Sequence, residues 1–329
     1  MPEPSQPIEA TVRAICQKEG IPCHEIRAMG GGQINAVLCV DDTWVVRIAI
    51  QPDAHARLLR EAELLHSLAG QVPVSRLIAW GELDGQAYQI QSYVRGEKWY
   101  TAWPRLDATQ QENLVAQLSA ALKVLHARRA AAFGAPDDPA GQRDSWLAYL
   151  SGRLRATLDE YAALRIHMTP GALESVADYF EAHQDVLRAG VPVQLHGDLN
   201  LTNLLVSEGK LVAMLDWEFA LWAPRDYELL ALEAFCLYPN DWAEEEHEAY
   251  CTGDYATLFP LLQKQYPEIF ETPHLRERVN LYQLLSTLSS YLAWRKANLA
   301  TIPPDRMDAY GFYMARITNF IFRHGITLF

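Results

Sequence analysis

The chain is short of several things that would place it elsewhere. Its 329 residues contain no stretch of about eighteen uninterrupted apolar residues, so no membrane-spanning helix is expected. Met1-Pro2-Glu3-Pro4-Ser5 has neither the basic region nor the apolar run of a signal peptide, and a cytoplasmic protein is the expectation. Basic residues are in deficit, with 28 Lys and Arg against 41 Asp and Glu. The formal net charge of -13 argues against nucleic acid as a partner, since phosphate backbones need a basic surface, but it is compatible with a cationic small molecule. Cysteines are few and odd in number. Cys16, Cys23, Cys39, Cys236 and Cys251 form no close pair and no metal spacing, which leaves free thiols in a reducing compartment. Internal repeats and low-complexity runs are absent too, and the one clear internal loop is Phe133 to Arg143, with its Pro, Gly and Asp. What is present is a 50% hydrophobic composition over a length that suffices for two lobes, each with its own core.

The chemistry concentrates in Val193 to Asn203 and Leu211 to Glu218. Asp198, Asn203 five positions later and Asp216 thirteen beyond that form an acid-amide-acid set, each delivered beside a short apolar strand. Phosphoryl transfer needs a clamped metal, in-line positioning and removal of the acceptor's proton. Hard oxygen ligands suit magnesium, so Asn203 and Asp216 are the metal candidates, and Asp198 is left to orient the attacking hydroxyl and take its proton. Val191 to Leu195 reads as a buried strand that breaks at His196-Gly197. Leu204 to Val206, the turn Ser207 to Lys210 and Leu211 to Leu215 read as a β-hairpin, with Asn203 entering one arm and Asp216 leaving the other. Asp and Asn are also ordinary turn residues, and it is His196-Gly197 and Asp216-Trp217 around them that favour the chemical reading. His196 itself is expected to brace the loop.

These residues carry a resemblance. His196-Gly197-Asp198 with Asn203, and Leu215-Asp216-Trp217-Glu218, resemble the signatures of the aminoglycoside phosphotransferase and choline kinase-like family. The resemblance implies a fold similar to that of protein kinases, with the first Asp catalytic and the Asn and second Asp on magnesium. Protein kinases have Asp-Phe-Gly where this chain has Asp216-Trp217-Glu218, and the Trp form points to the small-molecule branch.

The first hundred residues agree. Glu25 to Met29, Ala36 to Val40 and Trp44 to Ile50 are short β-type runs separated by Gly30-Gly31-Gly32 and Asp41-Asp42. Glycines let backbone N–H groups approach phosphate closely. Gly31-Gly32-Gln33-Ile34-Asn35 resembles the family's Gly-Gly-x-x-Asn nucleotide loop, and the spaced glycines of protein kinases are absent. Arg47 stands in the third apolar run, where an inward charge needs a partner and an outward one does not. A guanidinium there would bind phosphate through its fork in place of the protein-kinase Lys. Residues 53 to 69 read as a helix opened by Asp53 and closed by Gly70, with Glu61 on the Leu58, Leu65, Leu68 stripe. A carboxylate on that face is expected to pair with Arg47. Arg76 to Trp80 and Ala87 to Val94 complete five strands, and the resemblance makes Gln91 to Val94, including Tyr93, the connector whose backbone meets the base of ATP or GTP.

Beyond residue 97 the pattern is helical, over Asp107 to Arg128, Asp144 to Arg165, Gly171 to Leu187, Pro224 to Leu237, Asp241 to Cys251, His274 to Lys296 and Pro304 to Arg323. Asp226 is expected to anchor the catalytic loop or to cap the helix after Pro224. We therefore expect an α+β, two-lobed protein-kinase-like fold, with a small five-stranded antiparallel sheet plus helix as nucleotide-binding lobe over 1–95 and a large, mostly helical catalytic and substrate-binding lobe over 96–329. The implied cofactors are ATP or GTP and magnesium. The implied acceptor is a small hydroxylated molecule, with no membrane partner and no oligomeric state assigned. Glu218, Glu228, Glu233, Asp241 and Glu244 to Glu246 give the region after Asp216 an acidic character that favours a cationic, aminoglycoside-like acceptor, with Glu218 the substrate candidate and Trp222, Tyr227, Phe235, Tyr238 and Trp242 as an aromatic wall or as core. Choline, homoserine, methylthioribose and macrolides remain open as acceptors. Two other classes also stay open, a catalytically silent nucleotide-binding regulator and a metal-dependent phosphohydrolase.

Overall fold

Short β-branched runs punctuated by Gly and Asp pairs build the first sheet. The computed structural model describes residues 6–31, 35–51, 54–136, 138, 140–166, 168–241, 250–298, 313–317 and 321. By internal contacts the chain divides into two compact units, residues 1–124 with 201–220, and residues 125–200 with 221–329.

The first unit opens with helix α1 (Gln6–Lys18), which the sequence reading did not anticipate. It continues through β1 (Ile26–Gly31), β2 (Asn35–Val40), β3 (Trp44–Ala49), α2 (Ala54–Leu68), β4 (Leu77–Leu83) and β5 (Gln86–Ser92). The strands form one antiparallel sheet in the order β1-β2-β3-β5-β4. Asp84 and Gly85, both left-handed, make the two-residue turn whose twist suits a β4–β5 hairpin. Val12, Ile15 and Cys16 of α1 bury their face against Leu38, Val40, Val46, Ile48, Tyr88 and Ile90 of the sheet. Leu58 of α2 packs with Ala49, Ala54 and Ala87. Asp53, expected to open α2, lies outside the described residues, as does Gly32 of the glycine loop.

A second sheet of this unit joins β6 (Glu97–Lys98) to β8 (Leu204–Ser207) and β9 (Lys210–Met214), and α3 (Trp99–Ala102) and α4 (Ala108–Ala127) follow β6 in the chain. Glu208 and Gly209, again both left-handed, close the expected β8–β9 hairpin.

The second unit holds α5 (Trp146–Leu164), α6 (Ala172–His183), β7 (Val193–Leu195), β10 (Leu221–Ala223), α7 (Leu229–Leu237), α8 (Leu258–Gln265) and α9 (Leu275–Asn298). Strands β7 and β10 pair antiparallel. Several expected spans are shorter in the fold. The strand over Val191 to Leu195 begins at Val193, after Pro192, which has no N–H to give a ladder. The helix over Gly171 to Leu187 tightens to a 3-10 turn at Gln184–Arg188, and the one from Pro224 starts as a 3-10 turn, Arg225–Glu228. Most of the helix expected over Asp241 to Cys251 and of that over Pro304 to Arg323 lies outside the described residues. The core gathers Trp146, Leu150, Tyr161, Val193, Leu195, Tyr282, Leu288 and Tyr291. Among the described residues no helix is long and apolar enough to cross a membrane, and the five cysteines are unpaired.

Among the described residues, the Asp226 side chain bonds neither the loop after β7 nor a helix end. Its carboxylate takes a two-pronged pair from Arg278, at 2.7 and 3.0 Å, and the Tyr282 hydroxyl at 2.9 Å. Arg278 also donates to the Val186 and Ala189 carbonyls, at 2.6 and 3.0 Å, so one buried guanidinium joins α9 to the chain leading into β7. Replacing it strands a buried carboxylate, so Arg278→Met is expected to lower stability by about 3–5 kcal/mol. Urea unfolding followed by circular dichroism measures this, and a loss below about 1 kcal/mol would contradict the assignment.

Candidate active site

Each unit carries its own part of the candidate machinery, and the chain passes from the second to the first between Asn200 and Leu201.

In the first unit, the hairpin does what its spacing implied. Leu204 pairs with Met214, and the Leu215 N–H donates to the Asn203 carbonyl at 2.7 Å. Asn203 and Asp216 therefore stand together at the open end of β8 and β9. Asn203 is buried, whereas the Asp216 side chain is 39% exposed. Asp216 sits at φ 62, a left-handed conformation that costs a non-glycine residue energy and that Asp tolerates better than most.

Arg47 faces inward. Its Nη1 pairs with the Glu61 carboxylate and its Nη2 lies 3.3 Å from Asp216 Oδ1. Burial works against the guanidinium's charge, yet the carboxylates of Glu61 and Asp216 outweigh it and hold its pKa above the ordinary value. Glu61 is almost fully buried on α2, as its place in the apolar stripe required. Its Oε1 also accepts the Trp217 N–H at 3.1 Å, and its Oε2 accepts Gln89 Nε2 at 3.0 Å.

Gly31 ends β1, and Asn35 begins β2. The buried Asn35 amide donates to Glu218 Oε2 at 3.4 Å. Burial, followed by the charge of Asp216, pushes the Glu218 carboxyl up to about 7. Of the connector residues, Gln91 lies in the sheet opposite Val45, and the Tyr93 N–H is engaged by the Thr43 carbonyl at 2.8 Å. The Tyr93 carbonyl and the main chain of Val94 are in no backbone pair among the described residues. Lys98 Nζ donates to the Thr202 carbonyl at 2.6 Å, just before Asn203.

In the second unit, β7 ends at a loop braced from inside. The Asp198 N–H donates to His196 Nδ1 at 3.3 Å, so the neutral ring carries its proton on Nε2, and His196 is fully buried. Gly197 adopts φ 83, which only glycine takes without strain. Asn200 Nδ2 donates to Asp198 Oδ1 at 3.2 Å and orients the candidate base. The loop's anchor is Glu228. Its Oε2 accepts the His196 N–H at 3.0 Å and its Oε1 the Gly197 N–H at 3.1 Å, while His126 and Tyr266 stand behind it.

Among the described residues no group of three His, Cys, Asp or Glu side chains is arranged to hold a metal ion. Magnesium that arrives with a nucleotide needs no such cage, because it keeps several waters and is held by one or two protein oxygens plus phosphates. One amide and one partly exposed carboxylate fit that donor set.

The model of the phosphotransferase enzyme family matches residues 25–261. The chain belongs to that family. As a phosphotransferase of this family it is a small-molecule kinase. Comparison with the curated proteins gave no match. Among solved structures, the gentamicin complex of APH(2")-IIa is similar with a TM-score of 0.67 at 14% identity, covering 94% of this chain and 95% of that one. The GDP complex of aminoglycoside 2'-phosphotransferase-IIIa gives 0.68 at 17%, covering 97% and 100%. A ternary complex of APH(4)-Ia with AMP-PNP and hygromycin B gives 0.63 at 16%, covering 94% and 97%. At these identities the likeness shows the fold, which is the expected α+β, protein-kinase-like class.

Three further residues of the phosphotransferase escaped the sequence reading. Glu228 read as part of an acidic run, and Gln89 and Asn200 carried no spacing of their own, although a Gln in an apolar strand and an Asn two places after Asp198 were visible. The acidic run itself dissolves. Glu228 and Glu233 are buried, Asp241 pairs with Arg316, and Glu244 to Glu246 lie outside the described residues. Phe235 is core, Tyr227 packs on Trp146 and Tyr282, Tyr238 lies under Arg316, and Trp242 is outside the described residues.

Charge-assisted bonds to loop amides are stronger than neutral ones, and small misplacements of reacting groups are amplified in rate. Glu228→Gln is therefore expected to lower kcat by about 10-fold to 100-fold with nucleotide affinity little changed. Steady-state kinetics with parallel calorimetric titration of nucleotide decides it, and an unaltered kcat would remove the anchor role.

Proposed function

We propose that the enzyme moves the γ-phosphate of ATP, or GTP, to a hydroxyl of a small molecule, with an aminoglycoside-like acceptor favoured. What carries the proposal is the meeting of Asn203 and Asp216 at one hairpin end, with the Arg47–Glu61 pair bonded directly to Asp216 and to the amide after it. A carboxylate beside a buried, permanently charged guanidinium, with Asn203 at the end of the paired strand, would make a receptor for phosphate oxygens and their counter-ion.

The roles follow from chemistry. Asp198 takes the proton of the acceptor hydroxyl as its oxygen bonds to the γ-phosphorus and the bond to the bridging β–γ oxygen breaks, releasing the nucleoside diphosphate. Arg47 would offer its charge and the remaining N–H groups of its guanidinium to the phosphates, with Glu61 keeping it oriented. Gly31, Gly32 and Asn35 shape the loop over the phosphates, while Gln91, Tyr93 and Val94 serve the base. Asn203 and Asp216 would hold magnesium, which when bound supplies charge neutralisation of the phosphate oxygens. Glu218 is the proposed acceptor contact, and its tie to Asn35 would link that contact to the glycine loop. By chemistry, residues 1–95 would then be the nucleotide-binding lobe and 96–329 the catalytic and substrate-binding lobe, although both 96–124 and 201–220 group with the first unit.

The acceptor preference rests on the net charge of -13 and on the structural relatives, whose complexes hold gentamicin and hygromycin B. An aminoglycoside acceptor would make the role antibiotic resistance in a cytoplasmic setting.

A screen of nucleoside diphosphate release over aminoglycosides, macrolides, choline, homoserine and methylthioribose tests the acceptor. Turnover with the aminoglycosides alone is expected, and turnover with choline or homoserine instead would move the assignment. Loss of a general base typically costs about 10²- to 10⁴-fold, so Asp198→Ala is expected to lower kcat by that factor while magnesium-nucleotide binding survives. Unchanged turnover in that variant would remove Asp198 from its role.

A further inference from the structure

Gln89 stands directly opposite Arg47 in the β3–β5 register and is fully buried. Its amide nitrogen donates to Glu61 Oε2 at 3.0 Å, which leaves Oε1 to receive both Arg47 Nη1 and the Trp217 N–H. The Gln89 amide oxygen is buried, and no group among the described residues donates to it. An unbonded buried oxygen is destabilising, and an apolar side chain of the same size would fit the strand without it. The amide cannot turn to relieve this, since its oxygen would then face a carboxylate.

An Arg and a carboxylate left to themselves prefer a two-pronged fork, using both carboxylate oxygens. That fork would engage Oε2 with Arg47 and draw Oε1 away from the Trp217 amide, for the terminal torsion of Glu is broad and turns readily. We propose that Gln89 is a positioning residue for Asp216: by occupying Glu61 Oε2 it blocks the fork, so that Glu61 bridges Arg47 to the main chain of Trp217 and holds Asp216 in its left-handed conformation. The consequence for the reaction rests on the reading of Asp216 as a magnesium ligand. Gln89 acts through Glu61, to which its amide nitrogen donates.

The test compares full-length wild type with Gln89→Met, which keeps volume and removes the donor, and Gln89→His, which restores an N–H. Calorimetric affinity for AMP-PNP is measured with magnesium and with EDTA. Gln89→Met is expected to bind the metal-free nucleotide within about twofold of wild type but to lose about tenfold of the magnesium-dependent gain, and Gln89→His is expected to recover most of it. In a Glu61→Gln background the Gln89→Met change should alter the gain less than about twofold, because the route through Glu61 is already cut. A gain kept intact in folded Gln89→Met, or an undiminished loss in the Glu61→Gln background, overturns the proposal. Should Gln89→Met fail to fold, Gln89→His carries the decision, and a tenfold loss there overturns the donor role. A wild-type enzyme whose nucleotide binding ignores magnesium overturns the metal reading of Asp216 and this proposal with it.

Discussion

The buried carboxylate of Glu61 is the constraint on which the first unit's site depends. A lone carboxylate on the apolar face of α2 would be strongly unfavourable, and it is tolerated because three parts of the chain converge to bond it. Arg47 comes from β3, Gln89 from β5, and the Trp217 amide from the segment after β9. Sheet, helix and hairpin are thereby fixed to one another by a single side chain. The geometry also explains how Asp216 keeps its left-handed conformation, since the Trp217 N–H after it is held by Glu61 and its own carboxylate by Arg47.

The second unit solves the same problem with the same device. Glu228, buried at the start of α7, grips the His196 and Gly197 amides immediately before Asp198. In both places a buried Glu holds a peptide N–H adjacent to a candidate Asp. Grips on the main chain fix the position of a carboxylate without themselves engaging its oxygens.

This division sets what could be read from sequence. Asp198, Asn203 and Asp216 stand out in the sequence because the proposed roles demand particular residue types at short, fixed spacings along one hairpin and its preceding loop. Glu61 was legible because a charge interrupting an apolar stripe calls for a partner, and Arg47 interrupts an apolar strand in the same way. Glu228 was not, because amide grips leave no pattern around the acceptor, and its neighbours Leu229 and Leu230 look alike whether it is buried or solvated. The same blindness misassigned Asp226, whose partner Arg278 lies 52 positions away. Helix α1 had a readable stripe in Ile8, Val12, Ile15 and Cys16, overlooked beside the polar, proline-bearing start. The 3-10 turns at Gln184–Arg188 and Arg225–Glu228 depend on tertiary packing and leave no periodic trace.

Charge has to be weighed residue by residue for the same reason. An excess of acid near the catalytic segment suggested a cationic acceptor, yet Glu228 and Glu233 are buried and the first of them holds a loop. A buried carboxylate engaged by amides projects little field beyond its partners, whereas an exposed one is screened within about 8 to 10 Å by physiological salt. Under the proposed function, the carboxylates that would act on an acceptor are those at the loop ends, above all Asp198, half-buried and oriented by Asn200. On that proposal, net charge would bear on the approach of an acceptor, and discrimination among acceptors would fall to the side chains around Asp198.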